Sequence, residues 1–177
     1  MANNNTETLW KTTVIVSTSL QNNEISVVLL AQQHLLRYSD SIDGGTLVFP
    51  LSGVAFLLIT PEEFPEKAEC EEFFRRIEKF IQVHRNSFLL LQAPAYGARE
   101  LEIVSAVQNR FFGSNLKVLP VHSNGDAVKG MLTIAKAMIY VLWKNHVSDA
   151  ATQEKSGKLR GMNYTQHGVS DVASVFH

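Results

Sequence analysis

Apolar positions recur along the chain with two periods, one typical of strands and one typical of helices. Thr12–Ser17 is β-branched and mostly apolar, which predicts a buried strand. Residues 46–51 and 54–59 are apolar runs on either side of a turn and contain no charged side chain, and they predict a β-hairpin. Later apolar runs predict two more buried strands, at Asn86–Gln92 and Leu116–Val121.

Helical spacing dominates between the strands. A helical stripe begins after Asn22 or Asn23, either of which can cap a helix, and continues to Leu36. The continuous apolar run 27–30 leaves a strand as the alternative there. Residues 66–85 predict an amphipathic helix, and its apolar face consists of Cys70, Phe73, Phe74, Ile77, Phe80 and Ile81.

Two further helices complete the pattern. Arg99–Phe112 is predicted to end at Gly113, and its apolar positions are Leu101, Val104, Val107 and Phe111. The last helix is expected to begin after Ser123 or Asn124 and to extend to about Asn145. Because strands alternate with helices, the chain is predicted to have an α/β fold, with a mixed sheet flanked by helices.

Composition limits the classes of function. The chain has 177 residues, 45% of them hydrophobic, and a net charge of −1, so we expect about one globular domain without the charge of a dedicated nucleic-acid binder. Cys70 is the single cysteine, which excludes an internal disulfide and a cysteine zinc cluster. Residues 1–10 lack the pattern of a signal peptide, and no apolar run is long enough to span a membrane, so an intracellular protein is expected.

No motif along the chain predicts catalysis. The segment "SNGDAVKG" lacks the spacing of a phosphate-binding loop, and "PLSGVA" is not a nucleophile elbow. The six histidines are scattered, and Cys70 falls on an apolar stripe, where a buried structural thiol is expected. We therefore expect no catalytic residue, no metal site and no cofactor.

The order of elements resembles the nuclease domain of XPF-type structure-specific endonucleases, a restriction-endonuclease-like fold. The resemblance rests on the strand Val14–Ser17, a helix, the hairpin "GGTLVFPLSGVAFLL", a helix and a strand. It implies carboxylates at the end of the first strand and on both hairpin strands, where they hold divalent metals. The Asp of the first strand matches Ser17, and the Asp that opens the hairpin matches Thr46. A Glu-Arg-Lys triplet on the second hairpin strand matches Ala55, Phe56 and Leu57. The resemblance therefore implies a nuclease fold that has lost its metal ligands.

Small ERCC-type subunits of XPF-like heterodimers lack the same catalytic residues. Residues 10–58 and 73–92 are similar to the vertebrate family related to the yeast sporulation protein Spo-sixteen, and the resemblance covers about residues 10–145. This family implies a meiotic crossover factor that pairs with a larger, nuclease-inactive XPF-like protein. It also implies that the pair binds branched DNA at recombination intermediates.

The resemblance divides the chain into three parts. We expect a flexible leader at 1–10, an ERCC-like central domain at 11–145 and a mostly mobile tail at 146–177. ERCC-type subunits end in a tandem helix-hairpin-helix, for which the tail is too short, so a reduced remnant at most is expected. DNA contacts in the tail would be weak, and the candidates are Lys155, Lys158 and Arg160. A solvated tail without DNA contact is the alternative.

The last helix has more apolar surface than one face can bury, which predicts a partner interface. The interface candidates are Val128, Met131, Leu132, Ala135, Met138, Ile139, Leu142 and Trp143. A fully buried helix in a larger core is the alternative.

The resemblance thus implies a non-enzymatic ERCC-like subunit on meiotic chromosomes in the nucleus. Its expected partners are an XPF-like protein, branched DNA through the complex, the synaptonemal complex and other crossover proteins, with no membrane. Two alternatives stay open at this point. One is a protein-only scaffold without DNA contact, and the other is a small α/β enzyme with an unrecognised site.

Overall fold

The computed structural model describes residues 10–67 and 70–164, and the side chains of this part as far as residue 146. Within it, six strands form one mixed sheet in the order β2-β1-β3-β4-β5-β6. The strands are β1 (Thr13–Ser17), β2 (Leu35–Ser39), β3 (Thr46–Phe49), β4 (Val54–Ile59), β5 (Asn86–Gln92) and β6 (Leu116–Val121). β3 is antiparallel to β1 and to β4, whereas β2 runs parallel to β1, and β4, β5 and β6 are mutually parallel neighbours. The predicted mixed α/β fold is confirmed.

Four α-helices accompany the sheet in the described part of the chain. They are α1 (Glu24–Ala31), α2 (Glu71–Val83), α3 (Ala98–Arg110) and α4 (Asn124–Tyr164). Short 3-10 turns follow β1 and β4, at Thr18–Leu20 and Pro61–Glu63. The chain divides into two units, Met1–Met138 and Ile139–His177, so α4 begins in the first unit and continues in the second.

β4 explains why the hairpin has no charged side chain. All six of its residues are buried, because both faces of the sheet are covered. Val54, Phe56 and Leu58 belong to a first core, which α1 and α4 also line. Ala55, Leu57 and Ile59 belong to a second core, which α2 and α3 line. Since burying a large apolar side chain contributes about 2 kcal/mol, a charge on either face of β4 would be costly.

Helix starts follow local hydrogen-bonding rules. The Asn23 side chain accepts a hydrogen bond from the N–H of Ile25 at 2.9 Å, which confirms a cap at this end of α1. Ser123 plays the same part for α4, where its Oγ accepts from the N–H of Asp126 at 3.1 Å. Gly113 follows α3 with a φ of 78°, a left-handed conformation that glycine adopts without strain.

The predicted helix through Leu36 is wrong for its last part. α1 ends at Ala31, Gln33 has a φ of 64°, and Leu35–Ser39 forms β2 beside β1. The reason lies in tertiary packing. Leu36 packs against the first core from a strand at the sheet edge, a contact that helical spacing within the sequence does not reveal.

Three smaller predictions also need correction. Cys70 precedes α2 and is only half-buried, and Leu101 is 54% exposed on α3, where Ile103 takes the buried position. The last helix does not end near Asn145, because α4 continues to Tyr164. Residues 146–164 contain no proline to interrupt the backbone hydrogen bonds of the helix, and Gly157 and Gly161 are the residues with the weakest helix propensity in this stretch.

The leader and the end of the tail, residues 1–9 and 165–177, lie outside the described part of the chain. In the part that is described, no helix has the length and apolar character needed to cross a membrane.

Candidate functional site

Three of the predicted degenerate positions lie side by side across the sheet. Thr46 pairs with Leu57 across β3 and β4, and the pairing of Val16 with Leu47 places Ser17 beside Thr46 at the end of β1. Residues directly opposite each other share a face of the sheet, and Leu57 packs in the second core. Ser17, Thr46 and Leu57 therefore form one line of side chains on the face that α2 covers. We call these three residues the degenerate row.

The other two positions do not join the row in the same way. Ala55 shares the face of Leu57 but lies two residues earlier in β4, whereas Phe56 packs in the first core on the opposite face. All five positions are at most 2% exposed. Charged side chains at Phe56 and Leu57 would have to enter the two cores, so these positions serve packing.

The degenerate row lacks the ligands that divalent metals prefer. Carboxylate oxygens are the usual protein ligands of Mg²⁺, and the row offers only two hydroxyl groups and an aliphatic side chain. Across the residues that the structure describes, no group of three or more His, Cys, Asp or Glu side chains is placed to hold a metal ion.

Hydroxyl groups organise the end of the row instead. Ser17 Oγ lies 3.1 Å from Ser19 Oγ, which accepts a hydrogen bond from the N–H of Gly45 at 2.9 Å. Gly45 in turn accepts at its carbonyl from the N–H of Leu58. Thr46 differs, because its buried Oγ1 has no hydrogen-bond partner within the described residues. The strand ends are thus tied together, with one polar atom left unsatisfied.

Charged residues of α2 border this end of the sheet. Arg76 Nη1 lies 2.7 Å from Glu63 Oε1, and its Nη2 donates to the carbonyl of Gly44 at 3.0 Å. One turn further along α2, Lys79 Nζ lies 2.8 Å from Asp43 Oδ1. Nothing in the sequence pattern pointed to this role of Arg76. The spacing of Arg76 and Lys79 places both on one face of α2, but their partners belong to other segments of the chain.

Hydrogen bonding or burial shifts the pKa of Glu62 and of two histidines. Next to the row, hydrogen bonds with its own backbone and with Thr60 lower the pKa of the exposed Glu62. Burial lowers the pKa of His34, whose Nδ1 accepts from the N–H of Thr12. Burial also lowers the pKa of His84, against a smaller opposite effect of Asp43. These three groups do not form an acid–base pair at the degenerate row.

Tyr96 belongs to the opposite half of the sheet. Burial raises the pKa of its phenol group, which donates to the carbonyl of Leu91 and accepts from the N–H of Val121 at 3.1 Å. These bonds hold the ends of β5 and β6 together, so the phenol has a structural role.

A groove of about 480 Å³ lies within the first unit between β6 and the beginning of α4. Leu119 and Ile134 give it apolar walls, and Asp126 and Lys129 add two charges of opposite sign. It is separate from the degenerate row, since none of the residues that line it belongs to β1, β3 or β4.

The predicted interface on α4 has to be corrected in the first unit. Val128, Met131 and Ala135 are at most 1% exposed and belong to the first core. Leu132 and Met138 are half-buried and pack against the same core. The apolar stripe therefore covers the chain's own sheet, so the three buried residues are not available to a partner.

Exposed apolar residues follow where the second unit begins. Ile139 is half-buried, and the next four residues are 46% to 63% exposed: Tyr140, Val141, Leu142 and Trp143. Successive helix residues are rotated by about 100°, so these side chains point to all sides of α4. Lys155, Lys158 and Arg160 lie on the same helix, in the part of the chain that was expected to be a mostly mobile tail.

Comparison with known proteins identifies the family. The family model described as Protein SPO16 homolog matches residues 8–152. The chain belongs to this family. A human relative named Protein SPO16 homolog is 46% identical over 127 residues, which cover 72% of this chain and 70% of the human protein. The predicted resemblance to the Spo-sixteen family is confirmed.

Two solved structures of XPF from Aeropyrum pernix share the fold. The one in complex with DNA has a TM-score of 0.59 at 11% identity and matches 71% of this chain and 64% of its own. The other has a TM-score of 0.57 at 12% identity and matches 80% and 69%. This chain thus spans less than two thirds of the DNA-bound XPF chain. The predicted XPF nuclease-like fold is confirmed, and together with the SPO16 family it supports a role related to meiosis.

Proposed function

We propose that this SPO16 homologue is a non-catalytic subunit that pairs with a larger, nuclease-inactive XPF-like protein. In this proposal the pair binds branched DNA at recombination intermediates. The complex promotes meiotic crossover formation and the assembly or stability of the synaptonemal complex, together with other crossover proteins. It acts on meiotic chromosomes in the nucleus.

The composition of the degenerate row is the observation that carries the proposal. In this XPF-like fold, Ser17, Thr46 and Ala55 stand where the resemblance implies metal-binding carboxylates, and Leu57 stands where it implies a lysine. Phe56 and Leu57 fill the two cores that the sheet separates. A fold kept intact without its metal ligands is useful for binding rather than for hydrolysis, since metal-assisted cleavage needs them.

The partner surface that we propose is the exposed apolar run Tyr140–Trp143. The rings of Tyr140 and Trp143 lie 6.5 Å apart between centroids, and Trp143 is 63% exposed. Aromatic residues of this kind dominate the energetics of protein interfaces. Leu142 is 47% exposed about 100° around the helix from Trp143, so a partner that wraps around α4 could bury it together with the two rings.

This surface can be tested by the double substitution Leu142→Glu and Trp143→Glu. Both residues are exposed, so the lone chain should keep its helix content in circular dichroism. We expect the affinity for the XPF-like partner to fall by about tenfold or more, because burying two carboxylates in an apolar contact costs well over 1.4 kcal/mol. The affinity is measured by co-purification and by titration calorimetry.

Val83→Glu plus Leu101→Glu is the matched control. These two residues are also exposed and apolar, at 68% and 54%, but lie on α2 and α3. Partner affinity unchanged in the control and lost in the α4 variant supports the proposal. Equal affinities of the α4 variant and the wild type would contradict it.

DNA contact through the complex is the second part of the proposal. Lys155, Lys158 and Arg160 follow the apolar run on α4, so a partner bound there brings them close to any DNA that it holds. Three cations alone bind DNA weakly, which fits a subunit that contributes to a shared surface. The reduced helix-hairpin-helix remnant in residues 146–177 stays a prediction.

Salt dependence of binding to a four-way junction tests this contact. Replacing Lys155, Lys158 and Arg160 with alanine should reduce the slope of log K against log salt by about 2 to 3, at roughly 0.9 per phosphate contact. The control removes the same charge at exposed positions of the first unit, Lys11, Arg37 and Lys136. Equal slopes for the two triple variants would contradict the assignment. A wild-type pair without preference for junctions over linear duplex would favour the protein-only scaffold.

A further inference from the structure

Arg76 joins three segments at the end of the sheet where the degenerate row lies. From α2, its guanidinium donates to the carbonyl of Gly44 at 3.0 Å and to the carboxylate of Glu63 at 2.7 Å. Gly44 precedes β3, and Glu63 lies in the 3-10 turn after β4. Glu63 also accepts from the N–H of Thr60 at 2.9 Å, so the network reaches back to the end of β4.

The end of β1 is connected to the same network. Ser17 Oγ contacts Ser19 Oγ, and Ser19 Oγ accepts from the N–H of Gly45. Gly45 follows directly on the residue that Arg76 binds. A continuous path of hydrogen bonds and short backbone steps therefore connects β1, β3, β4 and α2, with the guanidinium at its centre.

Gly45 shows how closely the guanidinium packs. Its φ is 77°, and a Cβ atom there would lie 2.7 Å from Arg76 Nη2 and 2.8 Å from the carbonyl oxygen of Leu58. Because the Leu58 oxygen belongs to the backbone, a side chain at Gly45 would force the backbone to shift, and the Arg76 guanidinium would have to move as well. The cation thus lies directly beside the backbone that leads into the degenerate row.

The groups around Arg76 are those that a hard cation would use. Divalent metals bind carboxylate and carbonyl oxygens, and Arg76 already bonds one of each, on Glu63 and Gly44. We propose that the guanidinium of Arg76 is the built-in cation beside the degenerate row. From α2 it binds the segment before β3 and the turn after β4, and the hydrogen bonds of Gly45 and Ser19 extend this network to β1. The inference rests on this geometry alone and stands whether or not the chain has a partner.

Arg76→Ala tests the role of the cation. Loss of the two charge-assisted hydrogen bonds should lower the Tm of the lone chain by about 3 to 6 °C, given the size of the protein. Arg76→Lys should recover less than half of the loss, because a single ammonium group does not reproduce the forked geometry. The exposed neighbour Arg75→Ala is the control and should leave the Tm unchanged. An Arg76→Ala variant as stable as the Arg75→Ala variant would overturn the proposal.

Chemical rescue distinguishes a guanidinium site from a general packing role. Millimolar guanidinium chloride should raise the Tm of Arg76→Ala relative to an equal concentration of NaCl, while the wild type shows no increase. A variant that follows the wild type in both salts would overturn the proposal. If Arg76→Ala does not fold, Glu63→Gln is the alternative variant. It should show a smaller loss of Tm and faster hydrogen exchange at the Gly45 amide, and unchanged exchange there would count against the inference.

Divalent metals give an independent measurement on the wild type. Because the oxygens of Gly44 and Glu63 are already occupied by Arg76, the Tm should be the same in EDTA and in millimolar MgCl₂. An increase of the Tm in MgCl₂ that Glu63→Gln abolishes would show that a metal binds there and would overturn the proposal.

Discussion

Single residues in the degenerate row contribute to packing and to local hydrogen bonds. Leu57 contributes to the second core, and Ser17 caps the 3-10 turn that follows β1. Thr46 is the exception, because its hydroxyl oxygen is buried without a hydrogen-bond partner among the described residues. A buried unsatisfied hydroxyl costs about 1 to 3 kcal/mol. Thr46 is therefore the residue of the row whose substitution is most informative.

Thr46→Val should increase the free energy of unfolding by about 1 kcal/mol. The substitution keeps the shape of the side chain and removes the unsatisfied oxygen atom, so the desolvation cost disappears. Urea unfolding of the lone chain measures the change.

Ser26→Ala is the matched control for Thr46→Val. Ser26 is equally buried, but its Oγ donates to the carbonyl of Leu20 at 2.7 Å, so its loss should decrease the free energy of unfolding by about 1 kcal/mol. A destabilised Thr46→Val variant would indicate that the Thr46 hydroxyl has a partner after all.

Much of the residue-level packing could be predicted from apolar periodicity. Phe73 and Ile77 were placed on the buried face of α2 from their spacing alone, and both are buried. Arg76 could not be recognised in this way, because its partners Gly44 and Glu63 are distant in sequence and local spacing contains no record of them. The row itself became visible only through resemblance to a nuclease fold.

At the level of elements, the region between α1 and β2 shows where local patterns fail. α1 consists of apolar residues on almost every side, with Val27 and Leu30 exposed, so its periodicity does not mark an end. The end is set by Gln33, whose φ of 64° reverses the chain and sends Leu35–Ser39 into the sheet. A non-glycine residue in this conformation costs about 1 kcal/mol. The pairing of β2 with β1 offsets this conformational cost.

Gln33→Gly should therefore stabilise the protein, or at worst leave its stability unchanged. Relief of the left-handed strain, worth about 1 kcal/mol, offsets the greater entropy that glycine gives the unfolded chain. Thermal and urea unfolding provide the measurement.

The neighbouring substitution Gln32→Gly provides the contrast. Gln32 has a φ of −85°, so glycine relieves no strain there and should lower the free energy of unfolding by about 0.5 to 1 kcal/mol. If Gln33→Gly were the more destabilising of the two, the strain at this turn would be absent.

At the level of the whole molecule, the fold and the surface were predictable to different degrees. The alternation of strands and helices was enough to predict a mixed sheet, because sheet and helix periods are local properties. The division of α4 into buried and exposed apolar residues was only partly predictable. Val128 and Leu142 have the same apolar character in the sequence, yet Val128 is buried in the core and Leu142 is exposed. Only the three-dimensional arrangement separates core residues from exposed ones.

The central claim is that this SPO16 homologue works as one half of a pair with an XPF-like protein. Exposed apolar residues at Tyr140–Trp143 should make the lone chain prone to self-association. The most direct test is the molar mass, measured by light scattering after size exclusion, of the chain expressed alone and co-expressed with XPF-like proteins. We predict aggregates or oligomers of the lone chain and a soluble one-to-one complex on co-expression. A stable monomer of the lone chain that forms no complex with any XPF-like protein would contradict the claim.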